Sequence, residues 1–474
     1  MNAVNNQAEY KPLTLWQKFT YGLGDLASQF VWTFVGSYLT VFYTDVVGFV
    51  PAVVSIIMLV ARIWDAINDP MMGAIAERTR TRFGRFRPYI AFGCPFLALF
   101  GILTFVAPFG NGTAGVIWAA VIYIAAGMLY TLTNIPYASL VSVMTTDANE
   151  RNQLNAFRSA GMFAGQIIVS FCSSSIILAF SGGASTGTAH GYMMTAVIYS
   201  LASIPLFLLV FFNSREVVQP KGDMRKVPIT ETFKNLVKNK YLMIISAIML
   251  CEMTGYMGRI AITSYYVIYC IGSYALIGTI MVIPCILGVI SSMISTPVIK
   301  VIGKRNTLLL GMIIQAVGLI LIYFTPFTNM PIIYLGHVIF GAGGIATPVM
   351  LSMVADSVDY MDLKTGIRTD GTAYATYGLA SKAGNAIGSA VGVLLLGAFG
   401  YVANAEQTTQ ALHGINLTVN LLPAIVLLVG AALCLLWNLS DKDAAEIREK
   451  LAIRNAESTE EEVTTAAETE DASE

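Results

Sequence analysis

Within "MLVARIWDAINDPMMG", an otherwise apolar stretch, the chain carries Arg62, Asp65, Asn68 and Asp69, with Pro70 directly after. Asp65, Asn68 and Asp69 stand at i, i+3 and i+4, so a helix presents all three oxygen-bearing side chains on one face. Hard cations prefer such oxygen ligands, and the set suits a monovalent cation or a proton. Pro70 has no N–H, so the Ala66 carbonyl loses its donor within the helix and becomes a further oxygen ligand. The competing reading is a salt bridge from Arg62 to Asp65 one turn away. One arginine does not account for two aspartates and an asparagine.

Other polar groups stand in apolar surroundings: Asp25, Arg158, Glu252, Arg259 and Lys382. Each costs roughly 2.5–3.5 kcal/mol if it faces hydrocarbon, so each must face a cavity, a partner or water. Around Pro136, "LYTLTNIPYASL" supplies Tyr130, Thr131, Asn134 and Tyr137, which serve either a cavity or helix packing. The planar guanidinium of Arg158 suits a hydroxyl-rich or carboxylate-bearing ligand. Lys382 offers a compact charge able to balance an aspartate when a cation has left. Glu252 and Arg259 are seven residues apart, two turns along one face, which fits a structural pair.

The elements that must position these groups follow from composition. The 474 residues are 55% hydrophobic and 12% charged, about half the charge of an ordinary soluble chain. Twelve apolar spans are read near 20–43, 49–76, 88–108, 114–142, 153–181, 192–213, 240–270, 274–299, 306–325, 331–355, 369–399 and 412–438. Spans of about 20 residues cross a bilayer. Lys and Arg collect in alternate connections: Arg78, Arg80, Arg82, Arg85 and Arg87; then Arg215 to Lys238; then Lys300, Lys304 and Arg305; then Lys364 and Arg368. The intervening loops, such as "APFGNGTAG" and "SGGASTGTAHGY", contain none. The positive-inside rule therefore places both termini in the cytoplasm.

Asn213 to Lys240 separates two sets of six spans, and "TPVIKVIGKRN" weakly echoes "GAIAERTRTRFGR" at the equivalent connection. Repeated halves are a transporter architecture with a midplane site. The expected organisation is a cytoplasmic N-terminus over 1–19, six-helix bundles over 20–213 and 240–438, a linker over 214–239 and an acidic cytoplasmic tail over 439–474. Within that tail, "SDKDAAEIREKLAIR" reads as a short interfacial helix. The net charge of −1 argues against a nucleic-acid partner. The six cysteines and three histidines show no metal-ligand spacing, and no nucleophile–base pair of an enzyme is visible.

"FYTDVVG", "VARIWDAINDPMMG", "RTRFGRFRP", "NIPYASL", "ADSVDY" and "SKAG" together resemble the glycoside–pentoside–hexuronide:cation symporters, of the melibiose permease type. The resemblance runs through all twelve spans. It implies an all-α membrane protein of the major facilitator fold, alternating access, and a sugar coupled to Na⁺ or H⁺, with no other cofactor. Asp65, Asn68, Asp69 and Thr131 match the cation-binding positions. Asp25, Gln29, Tyr130, Asn134, Arg158 and Lys382 fall in the substrate-binding region. Arg78, Arg82, Asp356 and Asp359 fall at the cytoplasmic gate. Gln29 and Asn134 stand where melibiose permease has sugar-binding aspartates, and Ala138 where it has an aromatic platform. The resemblance therefore implies another glycoside, pentoside or hexuronide rather than melibiose. Amides in place of acids beside Arg158 also make room for an anionic sugar. The expected partners are a small sugar, a monovalent cation and the lipid bilayer of the inner membrane, with the chain acting as a monomer. An uncoupled sugar facilitator is the alternative; it has no need of paired midplane carboxylates.

Overall fold

The computed structural model describes residues 12–145, 147–217, 239–366 and 370–454. The first eleven residues, most of the basic linker, Arg368 and the acidic segment from 455 lie outside the described residues. The described chain is helical almost throughout. The helices are α1 (Leu15–Val41), α2 (Pro51–Arg78), α3 (Arg87–Leu103), α4 (Thr113–Met144), α5 (Ala148–Ala179), α6 (Ala189–Asn213), α7 (Lys240–Tyr265), α8 (Leu276–Ile302) and α9 (Lys304–Phe324). They continue with α10 (Met330–Ala342), α11 (Ala346–Thr365), α12 (Asp370–Ala398), α13 (Thr409–Asn416) and α14 (Leu422–Cys434). A last helix, α15, covers 441–454.

Among the described residues, ten helices are long and apolar enough to cross a membrane. Two further spans read from sequence fall outside that set for different reasons. The apolar helix α3 has 17 residues. The 27-residue α1 carries Lys18, Asp25, Ser28 and Gln29 along its length, which lowers its apolarity. Helix α10 and α11 form one span interrupted by a 3₁₀ turn at Gly343–Ile345. The helices α1 and α7 each run on into a π-turn, Phe42–Val46 and Tyr266–Ile271.

The chain divides into two compact units. The first comprises Met1–Met224, Gly258–Ile286 and Ser389–Val419. The second comprises Arg225–Met257, Leu287–Gly388 and Asn420–Glu474. In the first unit α1 packs on α5 and α6, α2 on α4, and α3 on both α4 and α6. Tyr21, Val31, Ile90, Leu97, Tyr137, Leu140 and Phe207 form its apolar core. Small residues let α1 and α5 approach backbone to backbone: a Cβ on Gly161 would lie 2.0 Å from the Gly22 carbonyl oxygen. Ile56, Val60, Ile63 and Ile67 of α2 are exposed apolar side chains, as a lipid-facing stripe requires.

In the second unit α9 packs against α10, α11 and α14. Leu308, Met312, Leu319, Met350, Met353 and Leu427 are buried there. The helix α15 begins at a reciprocal cap, in which the Ser440 N–H donates to Asp443 Oδ2 and the Asp443 N–H to Ser440 Oγ. Hydrogen bonds from Ser440 hold the exposed Asp443 carboxyl below its ordinary value. Ala444, Ile447 and Leu451, at i, i+3 and i+7, are buried. Arg448 donates to Asp356 at 2.9 Å and Arg454 to Asp362 at 2.7 Å, docking the helix. The short helix expected in this stretch is thus a packed element of the second unit.

Candidate functional site

The face of α2 that carries the paired aspartates meets α4. Thr131 Oγ1 donates to Asp69 Oδ1 at 2.8 Å. One turn along α2, the Asp65 carboxylate sits against Gly127, where a Cβ would approach Asp65 Oδ1 to 2.9 Å. Asp65 and Asp69 on α2 therefore register with Gly127 and Thr131 on α4, both pairs spaced i, i+4. Asn68 between them is buried, and its Nδ2 has no hydrogen-bond partner. Arg62 does pair with Asp65, at 3.4 Å, and its guanidinium lies 5.5 Å from the Trp32 ring centroid. The structure thus sets Thr131, which the family resemblance assigns, against Asp69, and leaves Asn68 on the same helix with its amide nitrogen unpartnered. It also realises the competing Arg62–Asp65 contact.

A second polar group lies between α1 and α5. Arg158 Nε donates to the buried Asp25 Oδ2 at 2.5 Å. The same guanidinium stands 5.3 Å from the Tyr137 ring centroid. Tyr137 is fixed by mutual bonds with α1: its hydroxyl donates to the Tyr21 carbonyl at 2.7 Å, and Tyr21 returns one to the Tyr137 carbonyl at 3.0 Å. The Arg158 guanidinium therefore has an intramolecular carboxylate partner, which sequence spacing could not indicate across 133 residues. Asn134 Nδ2 reaches Ser28 Oγ at 3.5 Å, and Gln29 Oε1 accepts from Thr33 Oγ1 at 2.5 Å. Asn134, Gln29 and Tyr130 are half-buried.

Sequence reasoning missed Trp32. It stacks on Tyr130 at 4.5 Å and lies 6.4 Å from Tyr123, so it joins the polar α1 groups to the Arg62–Asp65 pair. An indole stripe on an amphipathic span was the available signal. Asp45, quoted within "FYTDVVG" without a role, was also missed. It accepts hydrogen bonds from Thr44, Tyr401 and, at 2.6 Å, Tyr269, while its carbonyl accepts from Asn404. Tyr265 bonds Thr44 at 2.8 Å beside it. All of these residues belong to the first unit, and the π-turns after α1 and α7 present Asp45 and Tyr269.

The remaining candidates fall elsewhere. Lys382 is exposed on α12, in the second unit. Asp356 is buried between Lys304, at 2.5 Å, and Arg448, whereas Asp359 is half-buried on the same helix. Arg78 and Arg82 are exposed at the end of α2 and in the connection after it. That connection is held by Glu216, whose carboxylate accepts from the N–H groups of Arg85, Phe86 and Arg87 at 2.7–3.1 Å. Among the described residues, no group of three or more His, Cys, Asp or Glu is arranged to hold a metal ion.

Residues 20–441 match the family described as MFS/sugar transport protein. The chain belongs to that family. This family chain is 34% identical over 454 residues to the isoprimeverose transporter of Lactiplantibacillus pentosus, covering 94% of each chain. It is 29% identical over 442 residues to the glucuronide carrier protein homolog of Escherichia coli strain K12, covering 90% of this chain and 93% of the other. Among solved structures, the partially occluded inward-open xylose transporter XylE of E. coli superposes with a TM-score of 0.61 at 14% identity, over 90% of this chain and 98% of the other. A bacterial homolog of the human lysosomal transporter Spinster gives 0.64 at 13% identity, over 92% and 97%. At such identities these two show the fold alone, the multi-spanning all-α major facilitator architecture. This MFS/sugar transport family chain is a membrane transporter and not an enzyme.

Proposed function

We propose that the chain is a cation-coupled glycoside symporter of the inner membrane, working as a monomer by alternating access. It crosses the bilayer twelve times, with α1 and α3 as the two spans that length and apolarity alone do not select, and both termini are cytoplasmic. Asp65, Asn68, Asp69 and Thr131, with the Ala66 carbonyl, hold Na⁺ or H⁺. The observation that carries this reading is the register of Asp65 and Asp69 on α2 with Gly127 and Thr131 on α4. Two carboxylates one turn apart repel each other when both are charged, and a bound cation relieves that repulsion.

The sugar is held by Asp25, Gln29, Tyr130, Asn134, Arg158 and Lys382, with Trp32 added. Trp32 stacked on Tyr130 supplies the apolar surface that a sugar ring packs on, and the amides and the Asp25–Arg158 pair supply directional hydrogen bonds. Because Asp25 already balances Arg158, a neutral glycoside is favoured over a hexuronide. The likeness to an isoprimeverose transporter supports the same choice. Arg78, Arg82, Asp356 and Asp359 act at the cytoplasmic gate, where Asp356 also anchors α15.

The test is uptake into vesicles carrying the full chain, with a panel of neutral glycosides and glucuronides under imposed Na⁺ or pH gradients. Uphill accumulation of a neutral glycoside under one of the two gradients is the expected result. Downhill uptake indifferent to both gradients would establish the uncoupled facilitator instead.

A further inference from the structure

The second unit buries a carboxyl group that the site above does not use. Glu252 of α7 is 3% exposed. Its Oε1 accepts from Gln315 Nε2 of α9 at 3.0 Å, and the same amide nitrogen donates to the Gly343 carbonyl at 3.2 Å. Gly343 opens the 3₁₀ turn that breaks the α10–α11 span. The expected Glu252–Arg259 pair is thus replaced by an acid–amide pair, and among the described residues Glu252 makes no ion pair. Glu252 Oε2 and Gln315 Oε1 are both buried without a hydrogen-bond partner.

Two unsatisfied acceptors on two groups that already share one hydrogen bond lack a single donor. An ionised carboxylate only accepts, whereas a carboxylic acid donates one O–H. A proton on Oε2 supplies the donor that the pair lacks, and in the closed form proposed below the acid O–H and the amide N–H make a two-bond ring. Burial acts in the same direction, because an isolated carboxylate in an apolar interior neutralises rather than staying charged.

Arg259, buried two turns further along α7, is a cation in line with Glu252 but makes no ion pair with it. Cys251 on α7, Tyr377 on α12 and Cys434 on α14 lie within the electrostatic reach of Glu252, and none is a cation. His337 on α10 has its Nδ1 against the Ile333 carbonyl at 2.8 Å. Lys382 follows Tyr377 by five residues on α12, a rotation of about 140° at 100° per residue, so it is turned to another side of that helix. Arg305 lies three turns before Gln315 on α9.

We propose that Glu252 is a proton-binding site of the transport cycle, and that Glu252, Gln315 and the Gly343 turn form a latch closed by that proton. This deepens the symport reading and rests on it only for the role of the proton in transport. Proton transfer from Oε2 to water leaves a carboxylate facing an amide oxygen, so the ring opens and the carboxylate must reach water. The 3₁₀ turn beside it is where a span yields most easily.

The full chain in liposomes tests this by infrared spectroscopy as pH is varied, without any ligand. A protonated-carboxyl C=O component should be present at pH 7 in the wild type and missing from the Glu252→Gln spectrum, as read in the difference between the two. In Gln315→Leu the band should remain but move to higher frequency, as for a carboxyl that has lost an accepted hydrogen bond. Absence of a wild-type band, or identical wild-type and Glu252→Gln spectra in this region, overturns the site. Isoprimeverose is then added to lightly buffered vesicles. Entry should alkalinise the outside in the wild type, and Glu252→Gln should lower that signal at least tenfold while leaving downhill exchange intact. Exchange without alkalinisation in the wild type, or alkalinisation unchanged in Glu252→Gln, overturns the role in the cycle. Absence of any ion-driven glycoside uptake in the wild type, with the infrared band intact, overturns the symport reading and leaves the proton site standing.

Discussion

Four carboxyls set within apolar helices, three in the first unit and one in the second, are met by different chemistry. In the first unit Asp25 faces the guanidinium of Arg158 at 2.5 Å, while Asp69 takes a threonine hydroxyl and Asp65 has Arg62 at 3.4 Å with a glycine against its other oxygen. In the second unit Glu252 faces only an amide. A close guanidinium fixes a carboxylate as charged. An amide leaves it a choice that only a proton resolves. The Asp65–Asp69 pair stands between these extremes, because Asp69 accepts from a hydroxyl and Asp65 has a more distant arginine. On the proposed reading, the partner sets what each carboxyl can bind: Asp25 would orient, Asp65 and Asp69 would exchange an ion, and Glu252 would exchange a proton.

The largest effect expected from breaking this contrast is at Arg158. Arg158→Ala leaves Asp25 buried without its cation, a loss of about 3–5 kcal/mol for a pair broken on one side. Glycoside binding should fall more than a hundredfold, with a drop in melting temperature that Asp25→Asn partly restores in the double variant. Calorimetric binding and thermal unfolding check this; normal transport by Arg158→Ala would make the arginine structural only.

A finer change sharpens the comparison within the first unit. Gly127→Ala places a methyl 2.9 Å from Asp65 Oδ1, so the carboxylate must shift. Cation affinity should fall about tenfold, while Arg158-dependent glycoside binding without the cation changes little. Isothermal titration of each ligand separately distinguishes this from a general loss of packing.

The helices were legible because apolar length is a property of the chain itself; among the described residues ten of the twelve spans read from sequence are long and apolar enough to cross a membrane. The α2 face was equally legible, since i, i+3 and i+4 spacing needs no tertiary knowledge. Thr131 entered only through family resemblance. The pairs Asp25–Arg158 and Glu252–Gln315, 133 and 63 residues apart, depend on which helices pack together, and spacing along one helix cannot supply that. The Arg259 expectation failed for this reason: two turns on one face bring groups into line, but a facing helix supplied the closer partner. Asp356 shows the same limit. Its place at a gate entered only through family resemblance, whereas its ties to Lys304 and to Arg448 of α15 were not readable at all.

The central claim is that ion and glycoside share one free-energy linkage through Asp65 and Asp69, and linkage is reciprocal. The most direct measurement is glycoside affinity of the full chain, titrated with and without sodium and across pH, in the wild type and in the Asp65→Asn and Asp69→Asn variants. In the wild type, sodium or added protons should tighten glycoside binding by the factor by which glycoside tightens theirs. Asp69→Asn should reduce that factor to near one at unchanged fold stability. An unaltered factor in both variants would contradict the account and leave the two carboxylates as structural neighbours of Arg62.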